Sequence, residues 1–197
     1  MPKYDYVIWK HIRIKNNVTL DKFMGFDPDW KITQGVSVVE EFPDDVRFRM
    51  HPERPNDTVL TDDLRNLQNM IVGSDRLAEF LRSQGFDDLE LLPVSIINHK
   101  KKPIKERYFI IHPLNPISCI DKARSKIEMS PIAPANIAEV YKLALNEKQI
   151  DNGRQVFRVA GLGGPIFVSR KLAAKLDKEQ FSGLGWEEID KFTTMPV

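Results

Sequence analysis

The sequence is short of cysteine, of net charge and of long apolar runs, and each shortage excludes something. One cysteine in 197 residues, Cys119, rules out an internal disulfide and a cysteine-based zinc cage. A formal charge of +1 gives no long-range attraction to nucleic acid or to an anionic membrane. No apolar run approaches the roughly 20 residues that a membrane helix needs. The opening Met1-Pro2-Lys3-Tyr4-Asp5-Tyr6 carries an acid and lacks the apolar core of a secretion signal, so a cytoplasmic protein is expected.

Catalytic and metal motifs are missing too. His11, His51, His99 and His112 include no pair at i, i+4 and no HExxH frame, so no metal site is expected. No serine sits in a GxSxG elbow. Cys119 lies in the apolar run Ile117-Ser118-Cys119-Ile120, which suits a buried, inert thiol. The acidic pairs Glu40/Glu41, Asp44/Asp45, Asp62/Asp63 and Asp87/Asp88 are adjacent in sequence, which on a strand sends the two carboxylates to opposite faces. Gly161-Leu162-Gly163-Gly164-Pro165 joins two strand-like runs, and Pro165 removes a donor, so a hairpin turn fits better than a phosphate cradle. No cofactor is expected.

What the chain does have is 42% hydrophobic and 29% charged residues, the balance of a folded globular protein. It also repeats itself. Ile71-Val72-Gly73-Ser74-Asp75-Arg76-Leu77-Ala78 returns 95 positions later as Ile166-Phe167-Val168-Ser169-Arg170-Lys171-Leu172-Ala173. Each copy reads as a strand, a serine N-cap and a short amphipathic helix. Leu77, Phe80 and Leu81 form the apolar stripe of the first helix, and Gly85 is placed to end it in a left-handed cap. Leu172 and Leu176 mark the buried face of the second.

Strands are expected within Tyr4–Ile14, Leu89–Ile97, Tyr108–His112 and Gln155–Ala160, with short ones at Val36–Glu40 and Ile117–Asp121. Pro93 favours an edge or bulge in its strand. Phe26–Trp30, Phe42–Asp45 and His51–Asp57 read as loops, Asp151-Asn152-Gly153 as a turn, and Glu187–Pro196 as a charged tail. Residues 137–146 are ambiguous between helix and strand, with propensity leaning to helix. The expected class is α+β: a mostly antiparallel sheet with two short Ser-capped helices in a strand–helix–strand repeat. Residues 1–58 form a divergent, partner-facing lobe in this reading, and 59–197 the core domain.

The middle and C-terminal part resembles the eleventh named family of bacterial polymorphic-toxin immunity proteins, first catalogued as a domain of unknown function. The resemblance is carried by Ile71-Val72-Gly73-Ser74, Leu92-Pro93-Val94 with Asn98, and Tyr108-Phe109-Ile110-Ile111. It continues in Cys119-Ile120-Asp121 with Ser125, Val156-Phe157-Arg158-Val159, Ile166-Phe167-Val168-Ser169, and Gly183-Leu184 with Trp186. It covers about residues 60–188 and turns Glu139–Asn146 toward a strand. It implies a bacterial cytoplasmic protein, no catalytic residues, and a cognate toxin domain bound and occluded stoichiometrically. The expected anchors lie in the N-terminal lobe, at Phe26 and Trp30, with Glu40, Glu41, Asp44 and Asp45 as steering charge.

Two other classes stay open on the residues alone. One is a small enzyme with a site assembled from Asp121, Ser125, Arg158 and Tyr108. The other is a nucleic-acid-binding module using the basic run Lys100–Arg107, although no aromatic residue interrupts that run as such sites usually require. The toxin's identity and the oligomeric state are not legible.

Overall fold

The computed structural model describes residues 2–151 and 153–194; Asn152 of the expected Asp151–Gly153 turn and the last residues of the expected tail lie outside that range. In chain order the strands are β1 (Tyr6–His11), β2 (Thr19–Met24), β3 (Arg47–Met50), β4 (Asp63–Asn66), β5 (Ile71–Ser74) and β6 (Leu89–Ile97). They continue as β7 (Tyr108–Pro113), β8 (Lys126–Met129), β9 (Ile137–Lys142), β10 (Val156–Arg158), β11 (Ile166–Ser169) and β12 (Leu184–Glu187). The helices are α1 (Asp29–Thr33), α2 (Asp75–Ser83) and α3 (Arg170–Lys178). The fold is α+β and mostly antiparallel, as the sequence implied. Among the described residues, no helix is long and apolar enough to cross a membrane.

The chain forms two compact units. One comprises His11–Leu114 and Gln180–Gly185; the other comprises Met1–Lys10, Asn115–Glu179 and Trp186–Val197. These divisions fall elsewhere than the 58/59 boundary expected from sequence. The reason is that β2 and β3, from before residue 58, are staves of the same closed barrel as β4 to β7.

That barrel runs β2-β3-β6-β7-β5-β4. Its core holds Leu20, Phe48, Leu64, Val72, Leu92, Ile96 and Ile110, each buried. β3 is a parallel partner of β6 only from Ser95 onward, so Pro93 sits where one side of β6 is an edge and its missing N–H costs nothing. The expected strand at Val36–Glu40 is instead irregular, and β2, β3 and β4 lie in stretches where sequence showed no clear period.

The second unit holds the sheet β10-β11-β1-β12 and the hairpin of β8 and β9. Its core gathers Tyr4, Ile8, Cys119, Val140, Leu145, Phe157 and Phe167. Residues 137–142 are a strand, against helix propensity, because pairing with β8 decides the matter. Residues 117–121 make only isolated bridges, Ile117 to Val159 and Ile120 to Leu145. The tail is not simply charged and solvated, since Ile189 is completely buried in a short 3₁₀ turn.

The two Ser-capped segments match far beyond their lengths, and one lies in each unit. β5 is flanked by β4 and β7, with β6 beyond; β11 is flanked by β10 and β1, with β12 beyond. These four flanking pairs are antiparallel. Ser74 lies opposite Tyr108, and Ser169 opposite Tyr6. The Ser74 hydroxyl accepts from Leu77 N–H at 3.3 Å and donates to Asp62 at 2.7 Å. The Ser169 hydroxyl accepts from Leu172 N–H at 3.1 Å and donates to the Gln155 side chain at 2.6 Å. Backbone bonds repeat as well: Ser74 to Asp62 and Ser169 to Gln155, both 2.8 Å, then Asp75 to Arg107 and Arg170 to Asp5. Even the tyrosine hydroxyls correspond, Tyr108 donating to Thr61 O and Tyr6 to Arg154 O. Both helices are followed by a left-handed residue, Gly85 (φ +69°) and Gln180 (φ +53°). The copies differ in connection. The place that β7 takes by following β6 is taken in the other copy by β1, the first strand of the chain.

Each serine therefore satisfies a first-turn N–H and ties the helix start to the preceding strand. Ser169→Ala is expected to cost about 1–2 kcal/mol. Ser74→Ala should cost more, about 2–3 kcal/mol, because it also strips a donor from a carboxylate. Urea unfolding of the two variants measures this; two negligible losses would show that the caps are ornamental.

Candidate functional site

Residues 25–46 carry six acids and one base in a chain whose total charge is close to neutral. Phe26 leads into this stretch from β2, but its ring is buried and tilts against Phe42 at 5.3 Å. It supports the segment from below. Pro28 then starts α1, a single-turn helix that buries Ile32 inward and leaves Trp30 half exposed, at 50%. The polypeptide turns at Gly35 (φ +69°) and runs irregularly through Val36–Glu41.

Two groups from the barrel hold that irregular loop. Glu90, at the start of β6, accepts from the Ser37 hydroxyl and from Val38 N–H, the latter at 3.2 Å. His112, at the end of β7 and with a fully buried side chain, contacts the Val36 carbonyl through Nε2 at 2.8 Å. A carbonyl can only accept, so Nε2 carries the proton. Lys31 closes the base of the loop by pairing with Glu41. Val38 is thereby pulled into the core, while Val36 (42%) and Val39 (61%) face outward. Beside Val39 lies a hollow of about 400 Å³ lined by Leu81, Phe86, Leu89, Leu91, Arg82, Asp87 and Glu90.

The residues expected as a partner surface are thus distributed. Trp30, Glu40 and Glu41 are exposed together on α1 and its following loop. Asp44 is exposed but lines a different hollow, of about 230 Å³, with Lys105 and Arg107 of the basic run. Asp45 is exposed and pairs with Arg47. Val36, Val39, Glu90 and His112 had no sequence signal, because the loop is irregular and its holders lie in strands remote in sequence. The basic run itself is the exposed tip between β6 and β7, braced by Asn98 accepting from Lys100 and Lys102 N–H.

The residues considered for catalysis are engaged in structural bonds. Tyr108 lies in the barrel unit and donates to Thr61 O, whereas Asp121, Ser125 and Arg158 belong to the other unit. Asp121 accepts from Arg124 N–H and Nε, which hold its carboxyl below the usual range, and Ser125 bonds both polar atoms of the Ala144 backbone. Burial pushes the Cys119 thiol up to about 12, far from a reactive thiolate. Among the described residues, no group of three or more His, Cys, Asp or Glu could hold a metal ion.

The adjacent acids Asp62 and Asp63 do point apart. Asp62 accepts from Ser74, Arg76 and both donors of Ser182. Burial opposes its charge, but these bonds outweigh burial and hold it at about 2. Asp63 is buried and lies 2.8 Å from His11 Nδ1. Gly183 packs against Asp63 O and Thr61 only because it lacks a side chain: a Cβ there would sit 2.6 Å from Asp63 O, at φ +81°.

Two tests follow. Burial works against a charged His11, but the Asp63 carboxylate more than compensates and raises its pKa above 6.5. A raised folded pKa means the pair's stabilisation is complete below about pH 6.5 and is lost as pH rises through the folded value. Wild type should therefore lose stability relative to His11→Asn as pH rises above about 6.5, by urea titration; parallel curves would discount the pair. Arg158 is 1% exposed and donates from Nη1 to Gly164 O at 3.0 Å. Its Nε and Nη2 have no partner among the described residues, and burial lowers its pKa to about 10. Arg158→Met should leave Tm unchanged or higher, since a buried, thinly paired charge is replaced by an apolar chain of similar length. A fall beyond about 5 °C would show that the guanidinium is holding more than Gly164.

Comparison with curated proteins gives no match. Comparison with family models does: the model described as "Immunity protein family (Imm11)" matches residues 9–191, nearly the whole chain, including both compact units and both Ser-capped segments. The chain belongs to the Imm11 immunity protein family.

Proposed function

We propose that this chain protects a bacterial cell by binding a cognate toxin domain one-to-one and occluding it, in the cytoplasm and without chemistry of its own. The observation that carries the reading is the family match over residues 9–191. The site chemistry agrees with it. Asp121, Ser125 and Tyr108 are each occupied in holding backbone or neighbouring side chains, and Arg158 is buried away from the surface, which leaves the surface as the working part.

Trp30 is the anchor in this reading. A half-exposed tryptophan is a large apolar area left in water, and tryptophan is over-represented among residues that dominate binding energy. Phe26 keeps α1 in place beneath it, and Glu40, Glu41, Asp44 and Asp45 supply the local negative potential that speeds encounter. The interface should bury about 1,200–2,000 Å² in total.

The experiment is co-expression of the chain with the C-terminal domain of a secreted protein encoded next to it, scored by colony survival. Wild type should rescue growth. Trp30→Ala, at a half-exposed position, should keep its Tm and lose affinity by about tenfold or more. Survival and affinity equal to wild type would remove Trp30 from the interface; failure of wild type to bind or rescue would overturn the function.

A further inference from the structure

The loop Val36–Glu41 is built in an unusual way for a surface connection. A carboxylate 11% exposed and a fully buried histidine, Glu90 and His112, spend their polar atoms on its backbone and on Ser37. Groups of this kind are costly to bury, and here they fix a segment whose own Val36 and Val39 side chains point away from the core. A loop left free would fold such valines inward. A loop held rigid with its apolar side chains outward is already in the shape that binding would otherwise have to impose, and the ordering cost of association is correspondingly small.

What surrounds the loop indicates what it meets. The hollow beside Val39 has an apolar floor of Leu81, Phe86, Leu89 and Leu91. Asp87 lines it as well, and the exposed Glu40 and Glu41 follow Val39 directly in the chain. The one lysine of the preceding helix, Lys31, is taken up by Glu41, and Arg82 is taken up by Glu79. Glu40 and Asp87 are left as negative charge beside an apolar centre, the arrangement of a desolvated anchor pocket with a charged margin.

Resting on the toxin-binding reading above, we infer that this groove receives a lysine- and arginine-rich face of the toxin domain. One apolar side chain of that face enters the hollow beside Val39, and its cations meet Glu40 and Asp87. Glu90 and His112 are positioning residues, which act by holding the loop.

The test uses the full chain and the toxin domain against which it protects, with binding followed kinetically at several salt concentrations. Val39→Asp should weaken binding by about tenfold or more through faster dissociation, with Tm unchanged because Val39 is exposed. Glu40→Lys combined with Asp87→Lys should slow association and flatten its salt dependence. Glu90→Gln should weaken binding while hydrogen exchange at the Val38 amide speeds up, a readout that a contact residue would not move. Wild-type binding with all three variants equal to it would overturn the groove and leave the functional reading standing. Wild type that fails to bind would overturn both. Self-association abolished by Val39→Asp, with toxin affinity intact, would assign the groove to a second copy of the chain and overturn the inference.

Discussion

A hydroxyl that both accepts and donates at a strand–helix junction is the interaction on which this structure depends. An α-helix begins with N–H groups that have no partner in the helix, and a strand ends with groups that have lost their ladder. Ser74 and Ser169 resolve both at once. Each accepts from the helix and donates to the residue before the neighbouring strand, Asp62 in one case and Gln155 in the other. Strand, cap, helix and flanking strand are thereby locked as one piece, and the same piece occurs in both compact units.

The two copies show how much of such a piece is fixed and how much is free. Backbone bonds, the opposing tyrosine and the left-handed residue after the helix are retained, because each satisfies a group that burial would otherwise leave without a partner. The identity of the cap's own partner is free within limits. A carboxylate at Asp62 recruits Arg76 and Ser182 as further donors, whereas the amide of Gln155 needs none. Connection is freer still, since one copy takes its strand from β7 and the other from β1. Hydrogen bonding constrains which strands lie side by side and not the order in which the chain supplies them.

Around the barrel copy, this rigidity extends to the surface. The strands β6 and β7 that complete the Ser74 module also carry Glu90 and His112, which hold the loop Val36–Glu41. A loop tied to barrel strands is held in one shape. The acids of residues 25–46 are not one patch. Glu40 is exposed and Glu41 pairs with Lys31, while Asp44 lines a hollow with Lys105 and Arg107 of the tip between β6 and β7, and Asp45 pairs with Arg47. Charge that looks contiguous in sequence is divided by the irregular stretch at Phe42-Pro43.

Sequence alone determined the elements whose signals are local. A serine before an apolar 3.6-residue period, a glycine after it, and β-branched runs bounded by turns are read within a dozen residues, so both capped helices, β5, β6, β7, β10 and β11 were legible. The α+β class and the family resemblance followed from them. Tertiary structure decided whatever depends on a partner distant in the chain. β2, β3 and β4 are short and become strands only because barrel neighbours complete their ladders, and residues 137–142 set aside helix propensity for pairing with β8. It also decided that Val36–Glu40 would be a loop, that Phe26 would be core and Trp30 surface, and that Glu90 and His112 would meet at one loop. Sequence periodicity reports which face of an element is apolar; it carries no record of what arrives from far along the chain to cover that face or leave it bare.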